Sequence, residues 1–112
     1  MRTLLGNASK FLRLLAQRRR SYPEEIQIEA TNACNLQCAM CPHTHGAIPQ
    51  IDFPAVLFEN LVRNNPAPRR LVLTGWGEPL MHPRFFELVE LANRFWPDTL
   101  VRFTTNGILL NA

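Results

Sequence analysis

Outside a single octet this chain of 112 residues has no cysteine. Cys34, Cys38 and Cys41 all lie in TNACNLQCAMCP, residues 31–42. Three thiols are one too many for a single disulfide, which argues against a disulfide-stapled secreted domain. They are also one short of a closed tetrahedral metal site. A long apolar run is missing as well, and no window approaches the roughly 18 residues of a membrane span. Acidic residues are absent from the first 20 positions, where Arg2, Lys10, Arg13, Arg18, Arg19 and Arg20 stand alone. The remainder holds six basic and nine acidic side chains, so the net charge of +3 belongs to the leader and not to the body. A nucleic-acid-binding domain would carry its positive charge on the folded surface, and none is expected here. There is no internal repeat and no low-complexity tract.

What remains is an ordinary globular composition, 46% hydrophobic and 19% charged, in a chain long enough for one small domain or a piece of a larger one. In the leader, Leu4, Leu5, Ala8, Phe11, Leu12, Leu14 and Leu15 recur at helical spacing, interrupted by Lys10 and Arg13. That pattern reads as a basic amphipathic helix and linker over residues 1–22, not a secretory signal. Such a helix packs on the domain or meets a membrane surface or partner. The expected location is the reducing cytoplasm, with the cysteines as thiols or metal ligands.

Past the leader, Ile26, Ile28 and Ala30 alternate with Gln27 and Glu29, the period of a strand. The cysteine segment follows, and HTHGAIPQ reads as loop. A helix is expected after Asp52 and Pro54, with Leu57, Phe58, Leu61 and Val62 on one face and Glu59 and Arg63 paired on the other. RRLVLT is a second strand, bounded by GWGEP. A second helix from Pro83 places Phe85, Leu88, Val89, Ala92, Phe95 and Trp96 on one face until Pro97 stops it. TLVRFTTNG supplies a third strand. Strand, helix, strand, helix, strand with long connections implies parallel pairing. Each strand then runs into an unusual loop at its C-terminal end, the edge where parallel sheets and barrels bind ligands.

The cysteines admit three readings. They could be three free buried thiols. They could hold zinc with His43 or His45 as a fourth ligand. They could ligate an iron-sulfur cluster, leaving one iron open to a small chelating molecule. His43, His45 and His82 otherwise read as loop residues, with His82 placed to help start the helix at Pro83.

CNLQCAMC resembles the CxxxCxxC signature of the radical S-adenosylmethionine enzymes, and the resemblance extends over residues 24–110. It implies a 4Fe-4S cluster on Cys34, Cys38 and Cys41, with S-adenosylmethionine on the open iron. GWGEP resembles the family's GGEP-like segment, which implies that Gly75, Gly77 and Glu78 bind the methionyl amine, with Trp76 between the two glycines. TTNG resembles the family's third-strand end, which implies cofactor contacts from Thr104 and Asn106. Many members carry an aromatic residue just before the last cysteine. Here it is Met40, which could pack against adenine as a thioether or, as an ordinary loop methionine, into the core.

The fold so implied is α/β: the N-terminal half of a partial (β/α)6 TIM-like barrel, with residues 23–112 as the N-terminal, truncated portion of the core domain. The activity implied is reductive cleavage of S-adenosylmethionine to a 5′-deoxyadenosyl radical that abstracts hydrogen from a small-molecule or peptide substrate. An electron donor such as flavodoxin or ferredoxin would serve it. No residue stands out as an acid-base catalyst, and this chain alone is expected to have little or no turnover. The alternative is a non-catalytic zinc- or iron-sulfur-binding scaffold. An unpaired third strand also leads to an expectation of poor solubility or oligomers.

Overall fold

The computed structural model describes Leu12, residues 22–46 and residues 48–111. The basic helix and linker expected over residues 1–22 lie outside the described residues, Leu12 and Tyr22 apart.

Three short strands, β1 (Glu25–Gln27), β2 (Arg70–Val72) and β3 (Leu100–Arg102), form one parallel sheet in the order β1-β2-β3. Glu25, Ile26 and Gln27 stand opposite Arg70, Leu71 and Val72, which stand opposite Leu100, Val101 and Arg102. Pairing continues past the strand ends through Ile28 N–H to Val72 O and Leu73 N–H to Arg102 O, both 2.8 Å. Because side chains alternate across a strand, Ile26, Leu71 and Val101 share one face. Glu25, Gln27, Arg70, Val72, Leu100 and Arg102 share the other.

The apolar face is covered by two helices, α2 (Ala55–Asn64) and α3 (Phe85–Phe95), which also pack on each other. The core joins Ile28, Leu71 and Leu73 to Phe58 and Val62 of α2 and to Phe85, Leu88, Ala92 and Trp96 at α3. Burying each large apolar side chain contributes about 1.5–3 kcal/mol relative to leaving it in water. Trp96 also donates its indole N–H to Asn65 O at 3.1 Å, tying the end of α3 to the end of α2. The expected face of α2 is shifted. Ala55, Phe58 and Val62 are the buried stripe, whereas Leu57 is 56% exposed. The spacing of three and four residues is kept, but the stripe centres on Phe58, and Leu57 falls a helical step to its side.

The α/β architecture expected from the sequence, the opening half of a (β/α)6 barrel with three parallel strands and crossover helices, is the observed one. Among the described residues no helix is long and apolar enough to cross a membrane. One local expectation fails: part of the segment read as loop forms a four-residue helix, α1 (Pro42–His45). Pro42 occupies its first turn, where a fixed φ favours helix and the missing N–H costs nothing.

Candidate functional site

The cysteine loop is closed at its base by a clasp. Thr31 and Asp52 form an isolated antiparallel bridge, flanked by Phe53 N–H to Ala30 O at 2.8 Å and Asn32 N–H to Ile51 O at 3.2 Å. The Asn32 side chain completes it, accepting from Ile51 N–H at 2.7 Å and donating to Pro49 O at 2.9 Å. Inside the loop, Cys41 N–H donates to Cys38 O at 3.0 Å, and Thr44 Oγ1 donates to the same carbonyl at 2.9 Å. His45 Nε2 donates to Ala39 O at 2.8 Å, which commits that nitrogen to the loop backbone.

All three cysteines are free thiols; Cys38 is exposed, Cys34 and Cys41 half-buried. They are not three buried core cysteines. Among the described residues no three histidine, cysteine or acidic side chains are gathered at metal-holding distance. Met40 is 87% exposed, so it does not pack into the core.

Beside this loop lies the turn that leaves β2. Glu78 N–H donates to Ala33 O at 2.7 Å, and the backbones meet so closely that a Cβ on Gly77 would collide with Thr31 O and stand 2.6 Å from Ala33 O. A Cβ on Gly75 would run into the side chain of Glu29, whose Oε1 accepts from Trp76 N–H at 2.5 Å. Both glycines are therefore required by neighbouring protein.

The Glu78 carboxylate, 3% exposed, joins this turn to the third strand's end. Its Oε1 accepts from Leu80 N–H at 3.1 Å and Thr105 Oγ1 at 2.7 Å, and its Oε2 accepts from Asn106 N–H at 2.7 Å. Of about four acceptor positions on a carboxylate, one on Oε2 is left. Asn106 continues the chain of contacts, donating through Nδ2 to Asn35 Oδ1 at 2.8 Å and so reaching the cysteine loop. Thr104 N–H donates to Thr74 Oγ1 at 2.8 Å. The Asn-Gly pair makes no hairpin: Gly107, at φ 78°, leads into a 3₁₀ turn over Ile108–Asn111.

Below this rim, the helix-free face of the sheet, the one that no described helix covers, is polar. Arg70 bonds Glu25 at 2.6 Å and Glu24 at 3.5 Å. The hydrogen bond to Glu25 holds its guanidinium above the ordinary value, against the opposing effect of desolvation.

Residues 28–112 match the Radical SAM superfamily. The chain belongs to that superfamily. Among curated relatives of this radical SAM chain, the GTP 3′,8-cyclase of Chlorobaculum tepidum is 34% identical over 88 residues, covering 77% of this chain and 26% of that protein. The tungsten-containing aldehyde ferredoxin oxidoreductase cofactor-modifying protein of Pyrococcus furiosus is 33% identical over 89 residues, covering 76% and 24%. The chain thus spans about a quarter of the length of the curated relatives it matches. Among solved structures, BtrN in complex with AdoMet and 2-DOIA superposes with a TM-score of 0.66 at 23% identity, over 78% of this chain and 37% of that one. BtrN in an open conformation gives 0.62 at 26% identity, over 79% and 41%.

Of the residues singled out in the sequence, Gly75, Gly77, Glu78, Thr104 and Asn106 come together at one rim of the radical SAM fold with the loop of Cys34, Cys38 and Cys41. His82 is buried and structural. Its Nδ1 accepts from Arg84 N–H at 3.0 Å, so Nε2 carries the proton donated to Phe53 O, also at 3.0 Å. It caps the approach to α3, as its place before Pro83 suggested. Sequence reasoning missed Asn32, Glu29, Asn35 and Thr105. Only Asn32 carried a local signal, a turn-forming residue at the mouth of the cysteine segment.

Proposed function

We propose that Cys34, Cys38 and Cys41 bind a 4Fe-4S cluster whose open iron takes S-adenosylmethionine, in the N-terminal portion of a radical SAM enzyme spanning residues 23–112. One observation carries the reading: three unbridged, solvent-reachable thiols on a single clasped loop, docked through Ala33 against Gly77 and Glu78 at the C-terminal rim of a parallel sheet. The donor set fits, since thiolates are the usual cluster ligands. Loading requires the loop to draw the sulfurs together, and part of the metal-binding free energy goes into that closure.

When bound, the cluster supplies one electron, taken from a flavodoxin- or ferredoxin-like donor, for reductive cleavage of the sulfonium to methionine and a 5′-deoxyadenosyl radical that abstracts hydrogen from a small-molecule or peptide substrate. The chain's own residues bind and orient. Glu78 offers its remaining Oε2 acceptor position to the methionyl ammonium. The carbonyls of Gly75 and Gly77 sit in a turn pinned by Glu29 and Ala33. Thr104 and Asn106 close the third side, and the exposed Met40 thioether is available to an adenine ring. The GTP named for one relative and the 2-DOIA bound by BtrN differ, so neither is carried over as this chain's substrate.

Anaerobic loading with iron and sulfide should give a brown protein with broad visible absorption, whereas a zinc scaffold would stay colourless. Loaded protein under dithionite should bind S-adenosylmethionine and form little or no 5′-deoxyadenosine from these residues alone. A colourless protein after oxygen-free loading overturns the proposal.

A further inference from the structure

On the face of the sheet that no described helix covers, one cation has no counter-charge among the described residues. On this face Glu25 and Gln27 of β1, Arg70 and Val72 of β2, and Leu100 and Arg102 of β3 lie side by side, with Thr74 and Thr104 above them toward the rim. The inside of a barrel is ordinarily filled by branched apolar side chains, so this much charge calls for partners. Most have them. Arg70 pairs with Glu25 and Glu24, Gln27 Nε2 donates to Thr74 O at 2.8 Å, and Glu29 accepts from Trp76 N–H. Arg102 is the exception: among the described residues its guanidinium has neither a carboxylate within salt-bridge reach nor a hydrogen-bond acceptor, and the Thr104 hydroxyl has no partner either.

These two residues line the same open cleft, of about 560 Å³, together with Glu25, Val72, Val101 and Phe103. That volume suits a small molecule. Arg102 stands two strand residues below Thr104, about 7 Å farther from the rim. A group held there leaves the rest of a small molecule free to extend toward the cysteine loop.

We propose that Arg102 and Thr104 form an oxyanion subsite, taking a phosphate or carboxylate group of the substrate. The assignment rests on the reading that this radical SAM chain acts on a molecule lying against the helix-free face. The chemistry is that of a planar guanidinium fork meeting two oxygens at once, with a hydroxyl donating a third bond. Glu25 does not cancel the site, because its carboxylate is already bonded to Arg70 at 2.6 Å.

The test is a titration of the full chain with inorganic phosphate at constant ionic strength, followed through the side-chain Nε–H resonances of its arginines. Sodium acetate forms the carboxylate arm. The Arg102 resonance should shift saturably, while those of Arg63 and Arg94 on the helices do not. Arg102→Gln should weaken phosphate binding at least about tenfold, the loss expected for a charge-assisted contact of about 1.5 kcal/mol or more. Arg102→Lys should retain a weaker affinity and Thr104→Val should lower it more modestly. Saturation by phosphate alone assigns a phosphorylated substrate, and saturation by both assigns the oxyanion class. An Arg102 shift no larger than that of Arg94, or equal affinity in Arg102→Gln and Arg94→Gln, overturns the proposal. The titration needs neither iron nor S-adenosylmethionine, so its failure leaves the cluster reading standing, and failed iron loading leaves the titration interpretable.

Discussion

The carboxylate arm of Glu29 fills the space that a Cβ on Gly75 would need, and the same side chain holds the next residue by accepting from Trp76 N–H. The second glycine of the turn, Gly77, is hemmed in by main chain instead, at Thr31 and Ala33. The two positions should therefore respond differently to one added methyl group.

Gly75→Ala is expected to cost about 1–3 kcal/mol through overpacking against Glu29, and most of that cost should vanish in the Glu29→Ala background, where the obstructing side chain is gone. Gly77→Ala should cost at least as much in both backgrounds, because a backbone carbonyl cannot swing aside. Denaturant unfolding of the four variants forms the double-mutant cycle that checks this. Additive losses for Gly75 and Glu29 would show that the contact does not govern the turn.

Glu78→Gln replaces an acceptor-only group by one carrying an N–H₂, facing three donors at Leu80, Thr105 and Asn106. A loss of about 2–3 kcal/mol is expected, as for a buried charged acceptor removed from its donors. Thr105→Val should cost about 1 kcal/mol alone and much less on top of Glu78→Gln, since the two share one bond. Hydrogen exchange at Asn106 N–H gives an independent reading, with faster exchange expected in Glu78→Gln.

Cys34→Ala, Cys38→Ala and Cys41→Ala should each abolish the brown chromophore after anaerobic loading. The fold should barely notice: Cys38 is exposed and the other two are half-buried in a loop, so stability changes within about 0.5 kcal/mol are expected. Visible absorption and thermal unfolding measured on the same samples separate loss of ligation from loss of structure.

Strand β3 pairs with β2 on one side, and no described residue pairs with its other side. Leu100 and Phe103 are exposed along it, at 49% and 40%. An open apolar strand edge invites a second copy. The isolated chain is expected to self-associate with rising concentration, and Leu100→Lys should shift sedimentation toward the monomer. A sharply unfolding monomer for the unaltered chain at all concentrations would refute this.

Much of the molecule was legible because its signals are local. The period-two run at Ile26, Ile28 and Ala30 and the helical spacing of Phe85, Leu88 and Ala92 each name an element from neighbours a few positions apart. The CxxxCxxC spacing places three thiols on one loop in the same way. What was not legible lies where a residue's role depends on distant chain. Leu57 has the hydrophobicity of a core residue, yet the rotation of α2 is set by how Phe58 and Val62 meet the sheet. For the glycines of GWGEP the sequence shows no neighbour, and the structure adds that Glu29 and the Thr31–Ala33 backbone exclude a side chain there. The three donors to Glu78 are likewise invisible in its own stretch, because they come from residues as far as 28 positions away.

By itself the sequence determined the order of the elements, the parallel sheet they must make and the gathering of three thiols in one loop, because hydrophobic period, chain connectivity and thiol spacing are all written within short windows. Only the tertiary structure decided which side chains meet at the rim. The Asn32 clasp, the Glu29 prop under Gly75, the Glu78 junction with Thr105 and Asn106, and the placing of Arg102 on the polar face with no partner among the described residues all depend on register and packing that no single stretch of sequence encodes.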